Sequence, residues 1–328
     1  MEPYPITFEP ILKEKVWGGR ALEQFGKHLP AETPIGESWE LADLPKSIAG
    51  GKSVIANGEL AGKSLSDALK SHPSIMGDTP LSHGGFPLLI KFLDANDNLS
   101  VQVHPNERYA EIHPEAHLKS EAWIILDVAQ GGCIYIGLAP GTTEEGLRAS
   151  IVGNSVPELL NAIEVTKGEC YYLPSGTCHA LGAGVLVAEV QTPSDTTFRL
   201  WDWGRTHRQM HVDQAMLCID FAAAYSQPPH PTSIASGPFQ TTHFLDTPHF
   251  SIERVQTTED AALPLVVDNA PVVIMVVQGD ATIEHAVPVD APVGTTVLLP
   301  AELVDATLHM PKDAAVLRFD LPSQKIIA

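Results

Sequence analysis

Positive charge is what this chain has least of: 20 lysines and arginines stand against 40 aspartates and glutamates, a net charge of −20 over 328 residues. Such a chain repels polyanions at long range, which removes DNA and RNA as partners. An anionic small substrate would need a local basic pocket, so the few cations matter more than usual. Long apolar runs are missing too, and none approaches the ~18 residues of a membrane-spanning helix. The start, Met1-Glu-Pro-Tyr-Pro-Ile-Thr-Phe8, has neither a basic segment nor an apolar core. That excludes a secretory signal and leads us to expect a cytoplasmic protein. Cysteine is scarce: Cys133, Cys170, Cys178 and Cys218 show no C-x-x-C spacing, which argues against a thiolate zinc site or a redox pair. Free thiols in a reducing compartment are expected. Cys178 adjoins His179, but neighbours on an extended chain point apart, so it is read as packing rather than as a nucleophile.

What remains is an ordinary globular composition, long enough for one large domain or two. Residues 35–43 alternate like a strand, with Glu37 and Glu40 flanking Trp39 on either a pocket rim or an exposed edge. Residues 86–94 form an apolar run suited to a buried strand and broken only by Lys91. A buried ammonium needs a counter-charge or water, so Lys91 is a candidate ligand-facing cation, or else an edge lysine that blocks aggregation. Residues 15–19 read as a turn, and 64–70 as a short helix capped by Ser64. Residues 106–117 read as a polar, solvated loop that holds His113 and His117. Helices are expected at 145–151, 156–163 and 211–221, and strands at 170–173, 184–191 and 197–203. The proline-rich stretch 224–233 is the best boundary. It divides the chain into domains at 1–223 and 234–328, the second a small all-β unit with strands near 249–255, 271–278, 295–299 and 315–320.

Two stretches carry chemistry. In Leu99-Ser-Val-Gln-Val-His-Pro105, strand alternation puts Gln102 and His104 on one face. A further strand opens at Glu121. The stretch Lys167-Gly-Glu-Cys-Tyr-Tyr-Leu-Pro-Ser-Gly-Thr-Cys-His179 is a strand, a tight turn and then a histidine. Its spacing of Gly168, Pro174, Gly176 and His179 resembles the second signature of the cupin barrels. Gln102, His104 and Glu121 resemble an altered first signature, with Gln102 in place of a histidine and an insertion before Glu121. The resemblance implies a β-barrel in which Gln102, His104, Glu121 and His179 meet around one metal. Two imidazoles, a carboxylate and an amide oxygen suit zinc, although manganese, iron or nickel would also bind. Gly294 and Pro300 faintly repeat the spacing, but Val304 and Asp305 stand near where a ligand would be. The expected fold class is therefore mainly β: two cupin-like jelly-roll barrels with a few short helices, the second degenerate and without metal.

Seven segments in one order make a more specific resemblance. They are Val16-Trp-Gly-Gly19, Gly36-Glu-Ser-Trp-Glu40, Pro87-Leu-Leu-Ile-Lys91, the Leu99 to Pro105 stretch, Lys119-Ser-Glu121, Pro174-Ser-Gly-Thr-Cys-His179, and Gln191-Thr-Pro-Ser-Asp-Thr-Thr-Phe-Arg199-Leu-Trp-Asp-Trp203. Together they resemble type I mannose-6-phosphate isomerases in their short bacterial form. Longer members of that family carry a histidine just before the motif lysine, where Leu118 stands here. The resemblance implies a cofactor-free isomerase with one Zn2+ per chain, joining mannose 6-phosphate and fructose 6-phosphate through an enediol. It implies that Gln102, His104, Glu121 and His179 hold the zinc and that Arg199 is the active-site arginine, which we assign to oxygen-charge stabilisation. Lys119 is assigned to phosphate binding or proton transfer, and Lys91, Glu40, Ser100 and Asp195 to substrate binding. The partner would be a hexose 6-phosphate, bound by a monomer or a homodimer. Two rivals are another metal-dependent cupin (an iron dioxygenase or a glucose-6-phosphate isomerase) and a metal-bearing carbohydrate-binding protein. Metal analysis with oxygen uptake separates the first, and sugar binding without turnover marks the second.

Overall fold

The structure, a computed structural model, describes residues 2–221 and 231–322, so most of the expected boundary stretch 224–233 lies outside the described residues. The first twelve strands are β1 (Ile6–Thr7), β2 (Ile11–Gly19), β3 (Ile35–Leu41), β4 (Leu89–Ala95), β5 (Val101–Val103), β6 (Glu121–Val128), β7 (Cys133–Leu138), β8 (Leu160–Glu164), β9 (Cys170–Leu173), β10 (His179–Leu181), β11 (Val185–Gln191) and β12 (Phe198–Trp201). Six form a sheet in the order β2-β3-β4-β11-β6-β9, and five form another, β12-β5-β10-β7-β8. Every residue of β3, β4 and β11 is buried. Both faces of these strands are covered, which fits the largely apolar runs of β4 and β11. On one face Ile90 and Phe92 pack with Phe25, Ile124 and Ala188, and this core continues through Phe250, Met275, Leu298 and Phe319 of the C-terminal half. On the other, Leu93 and Trp123 pack against Ile136 and Leu181 of the five-stranded sheet. The six-stranded sheet is thus the middle layer, and its polar residues are trapped unless they face a cavity or a partner.

The C-terminal half holds a second pair of sheets. A seven-stranded one runs β1, Thr296–Leu299, Val272–Gln278, Ala315–Asp320, Ser251–Thr257, Phe239–Asp246 and Thr232–Ser236 in order, and a four-stranded one packs across it. The expected strands near 249–255, 271–278, 295–299 and 315–320 lie within two residues of observed ones. Two that were not expected, Ala281–Glu284 and Val289–Ala291, are short and alternate buried with exposed positions. The chain's first strand belongs to this half by pairing: Ile6 lies opposite Leu298 and Thr7 opposite Val297.

Helix α1 (Leu65–Ser71) has Ser64 at its N-cap, its hydroxyl accepting the Asp67 N–H at 3.2 Å. Three expectations are corrected. Residues 106–117 contain helix α2 (Glu107–Ile112), capped where the Asn106 side chain accepts the Tyr109 N–H at 2.8 Å and anchored by buried Tyr109. Helix α3 (Glu144–Gly153) occupies the region expected, but no helix spans 156–163. One 3-10 turn at Val156–Leu159 gives way to β8, which pairs with β7 through Ala162 opposite Tyr135. Residues 15–19 lie in β2 rather than in a simple turn, although Glu14 and Gly19 both face Ile35, so the segment between them bulges out of the ladder. Helix α4 (Val212–Cys218) follows β12. No helix among the described residues is long and apolar enough to cross a membrane.

Candidate metal centre and its cavity

Two adjacent strands of the five-stranded sheet and one of the middle sheet build the cluster. Gln102 on β5 sits directly opposite His179 on β10, His104 follows β5, and Glu121 opens β6. One ligand atom from each of His104, Glu121 and His179 lies within 4.8 Å of the others, and all three residues are at most 2% exposed. His104 donates its Nδ1–H to the Thr196 carbonyl at 3.0 Å, and His179 donates its own to the Thr177 carbonyl at 2.8 Å. Each ring therefore turns an Nε2 lone pair inward, 3.4 and 3.3 Å from the Glu121 oxygens. Burial, reinforced by Lys119, lowers the His104 pKa to about 3, and burial lowers that of His179 as well. Burial opposes the Glu121 charge, yet Lys119 and His104 hold its carboxyl well below the ordinary range. Three acceptors face one another with no hydrogen-bond donor aligned on either Glu121 oxygen. Lys119 Nζ contacts this group at 2.7 Å from Glu121 Oε2 and 2.9 Å from His104 Nε2. The Gln102 amide adds a fourth group, with Nε2 placed 3.2 Å from His179 Nε2; a half-turn of the amide presents its oxygen there instead. Neutral imidazoles, a carboxylate and an amide converging inside the core fit a divalent cation of borderline softness.

A cavity of about 420 Å³ opens beside the cluster, lined by Gln102 and Lys119 on the metal side. Its floor is a line of alternating charge. Lys15 meets Glu37 at 2.8 Å, Glu37 lies 3.6 Å from Lys91, and Lys91 meets Glu189 at 2.9 Å. Strand register makes this line: Glu189 sits opposite both Lys91 and Trp123, and Trp39 opposite Lys91. The Trp39 and Trp123 indoles donate to Glu37 and Glu189 at 2.6 and 2.7 Å. Burial works against the Glu37 charge, but Lys91 and Lys15 bring its pKa down to about 2. Burial also works against Lys91, yet Glu189 and Glu37 raise its pKa, so it stays charged. Glu189 is pushed the other way, up, by burial and by the nearby Glu121 charge. Arg199, opposite Gln102 in the ladder, donates to the Ser100 hydroxyl at 3.3 Å and to the Gln209 carbonyl at 2.7 Å.

Of the residues expected at the site from sequence, Lys91, Ser100, Gln102, Lys119, Asp195 and Arg199 all line this cavity. His104, Glu121 and His179 lie behind it. Lys91 is an interior cation rather than an edge guard, because β4 is flanked by β3 and β11. Glu40 is elsewhere. It lies on the opposite face of β3 from Glu37 and Trp39, 4% exposed, bound to Lys27 at 2.7 Å and to the Ser38 hydroxyl at 2.6 Å. Period-two alternation separates Glu37 from Glu40, three residues apart. His113 pairs with Glu115 near the surface and the His117 ring lies 3.8 Å from that of His83, so neither joins the cluster. Sequence reading did not single out Glu189, Trp123 or Arg208. Glu189 had a signal: it stands two residues before Gln191 in a strand otherwise apolar, a buried charge that demands an opposite one.

A family model for the type I phosphomannose isomerase catalytic domain matches residues 6–132. Mannose-6-phosphate isomerase ManA of Bacillus subtilis is 40% identical over 226 residues, 67% of this chain and 69% of that protein. The chain belongs to the type I phosphomannose isomerase family. A Streptococcus mutans mannose-6-phosphate isomerase is 33% identical over 285 residues, covering 85% of this chain and 87% of that one. The crystal structure of the mannose 6-phosphate isomerase from Bacillus subtilis superposes with a TM-score of 0.86 at 29% identity, over 96% of this chain and 99% of that one. A zinc-bound mannose 6-phosphate isomerase, 17% identical with a TM-score of 0.71, shares the fold over 97% of this chain and 100% of that one.

Proposed function

We propose that this chain is a zinc-dependent isomerase that interconverts mannose 6-phosphate and fructose 6-phosphate by moving a proton between C1 and C2 through an enediol. The family named above carries that activity in its relatives' names. The observation that supports it most directly is the pair of imidazoles fixed by backbone carbonyls so that both Nε2 atoms face the Glu121 carboxylate. Gln102, His104, Glu121 and His179 would hold Zn2+. When bound, zinc supplies a Lewis acid that polarises or positions the oxygens at C1 and C2. Lys119, touching Glu121 and His104, stands where those carbons must come, which suits it to proton transfer rather than to a phosphate several bonds away. Arg199, one strand from Gln102, is placed to stabilise charge developing on the enediolate oxygen. The paired Lys15, Glu37, Lys91 and Glu189 hold the floor rigid and hydrogen-bond the sugar hydroxyls. The reaction is redox-neutral within one molecule, so no organic cofactor is called for. The cationic wall favours a phosphorylated sugar over the substrates of an oxygenase. Residues 1–223 would carry the chemistry and 234–328 a second cupin-like unit without metal, as a monomer or homodimer in the cytoplasm.

The test is a coupled assay on mannose 6-phosphate before and after chelation. Turnover should vanish with the metal and return on addition of zinc. Full activity in protein shown by metal analysis to be empty would overturn the proposal.

A further inference from the structure

The cavity's cations are unevenly paired. Lys15 and Lys91 are met by Glu37 and Glu189, and Lys119 by Glu121. Two arginines remain on the wall, Arg199 and Arg208. Among the described residues Arg199 donates to neutral acceptors only, the Ser100 hydroxyl and the Gln209 carbonyl. Arg208 directs its Nε to Asp202 at 2.7 Å and one Nη to the same carboxylate. That carboxylate is shared, for Arg205 also reaches it, through Nε at 3.1 Å and Nη2 at 2.9 Å. Arg205 has a second carboxylate in Asp97 at 2.9 Å, so the Asp202 carboxylate, 2% exposed, is left chiefly to fix Arg208. Glu14 and Asp195 line the cavity too, but among the described residues neither is within ion-pair distance of an arginine. Burial and then the Arg208 charge lower the Arg199 pKa, with the Asp202 charge working against them.

Local backbone explains why Arg208 arrives there. After β12 the chain turns at Trp203, at φ +54, and comes back so that the His211 N–H donates to the Arg199 carbonyl at 2.8 Å. The returning loop therefore covers Arg199 and lays Arg208 on the wall. A guanidinium with one edge committed to a buried carboxylate is held flat, with its remaining N–H groups aimed outward, the arrangement that suits a forked contact with a tetrahedral oxyanion. Arg199 is the ladder neighbour of Gln102, and Arg208 lines the same cavity from the loop that returns over β12, one step further from the cluster along the chain's path.

We infer that Arg208, oriented by Asp202, is a specificity-determining residue that grips the phosphate of the sugar phosphate. Asp202 is a positioning residue: it touches no substrate and acts by fixing Arg208. The identity of the sugar rests on the isomerase reading above, but the anion site does not. Arg208→Gln should raise KM for mannose 6-phosphate about 10- to 100-fold, the range of one charge-assisted contact, and leave kcat within about threefold. The inhibition constant of inorganic phosphate should rise by a similar factor. Arg208→Lys should recover part of both losses, and Asp202→Asn should raise KM while sparing kcat. Unchanged KM and phosphate inhibition in Arg208→Gln would overturn the assignment, as would a fall confined to kcat. Should the parent protein show no turnover, calorimetric titration with inorganic phosphate still decides: binding weakened in Arg208→Gln supports the anion site, and equal binding in both proteins overturns it. Arg208 is the safer variant, since its side chain is 18% exposed against 1% for Asp202.

Discussion

Replacing Glu40 separates a structural carboxylate from a substrate-binding one. Lys27 and Glu40 meet at 2.7 Å with side chains 7% and 4% exposed, and Lys27 adds a 2.9 Å bond to the Gly294 carbonyl of the C-terminal half. Glu40→Leu would leave an ammonium in the core with a single carbonyl. Stranding one member of a buried pair in this way costs about 3–5 kcal/mol. Ser38, whose hydroxyl donates to Glu40, would lose its acceptor as well, adding about 1–3 kcal/mol. Lys27→Met should cost less. Burial already outweighs the pull of Lys27 and raises the Glu40 pKa, so the stranded carboxyl takes up a proton instead of remaining a bare charge. Removing all three polar groups, as Lys27→Met, Ser38→Ala and Glu40→Leu together, should bring stability back to within about 1 kcal/mol of the parent. Urea unfolding followed by tryptophan fluorescence ranks the variants. Isomerase assays on the folded proteins should find kcat/KM within about threefold throughout, because no altered group reaches the cavity. A Glu40→Leu protein as stable as its parent would refute this placement. So would a stable triple variant with a tenfold poorer kcat/KM.

Other consequences can be measured in the same way. Glu37, held by Lys91 and Lys15 against burial, titrates at about 2 instead of 4.5. Because its pKa is depressed, it stabilises the fold above the ordinary carboxylate range, and that contribution, about 3 kcal/mol, drains away as pH falls from about 4.5 towards 2. Glu37→Gln should flatten the acid limb of the stability curve, and an equally steep limb would count against the ion-pair line. Arg199→Ala should lower kcat about 100-fold, as for loss of one charge-stabilising donor, and a kcat within about threefold of the parent would remove it from the chemistry. Gly294→Ala puts a Cβ 2.1 Å from the Phe25 carbonyl oxygen at φ +91, which should cost about 1–3 kcal/mol and lower the melting temperature. His179→Ala should bind zinc at well below one ion per chain, and full stoichiometry would exclude the ligand set.

Features set by neighbouring residues were legible in the sequence, and features set by pairing were not. Gln102 and His104 share a face because two residues separate them on a strand, and nothing distant is needed to know it. The same holds for the Ser64 cap and for the turn that delivers His179. Lys91 was legible as an anomaly, a charge in an apolar run, but its partners Glu189 and Glu37 follow from the β4–β11 and β3–β4 registers. Glu40 went wrong for a related reason. Lying near a tryptophan in sequence does not say which face of a middle-layer strand looks into the cavity and which looks towards the second unit. The helix expected at 156–163 lost to a pairing as well, since Leu160 to Glu164 complete the edge of a sheet. Ile6 and Thr7 finish a sheet whose other strands begin beyond residue 230. That long-range pairing, together with Lys27 reaching Gly294, gives the second unit a physical task. It closes the face of β3 that carries Glu40, while the other face of that strand carries Glu37 on the cavity floor. A strand seven residues long cannot shift one face without the other. The metal-bearing half is therefore braced through the very strand that presents its floor charge.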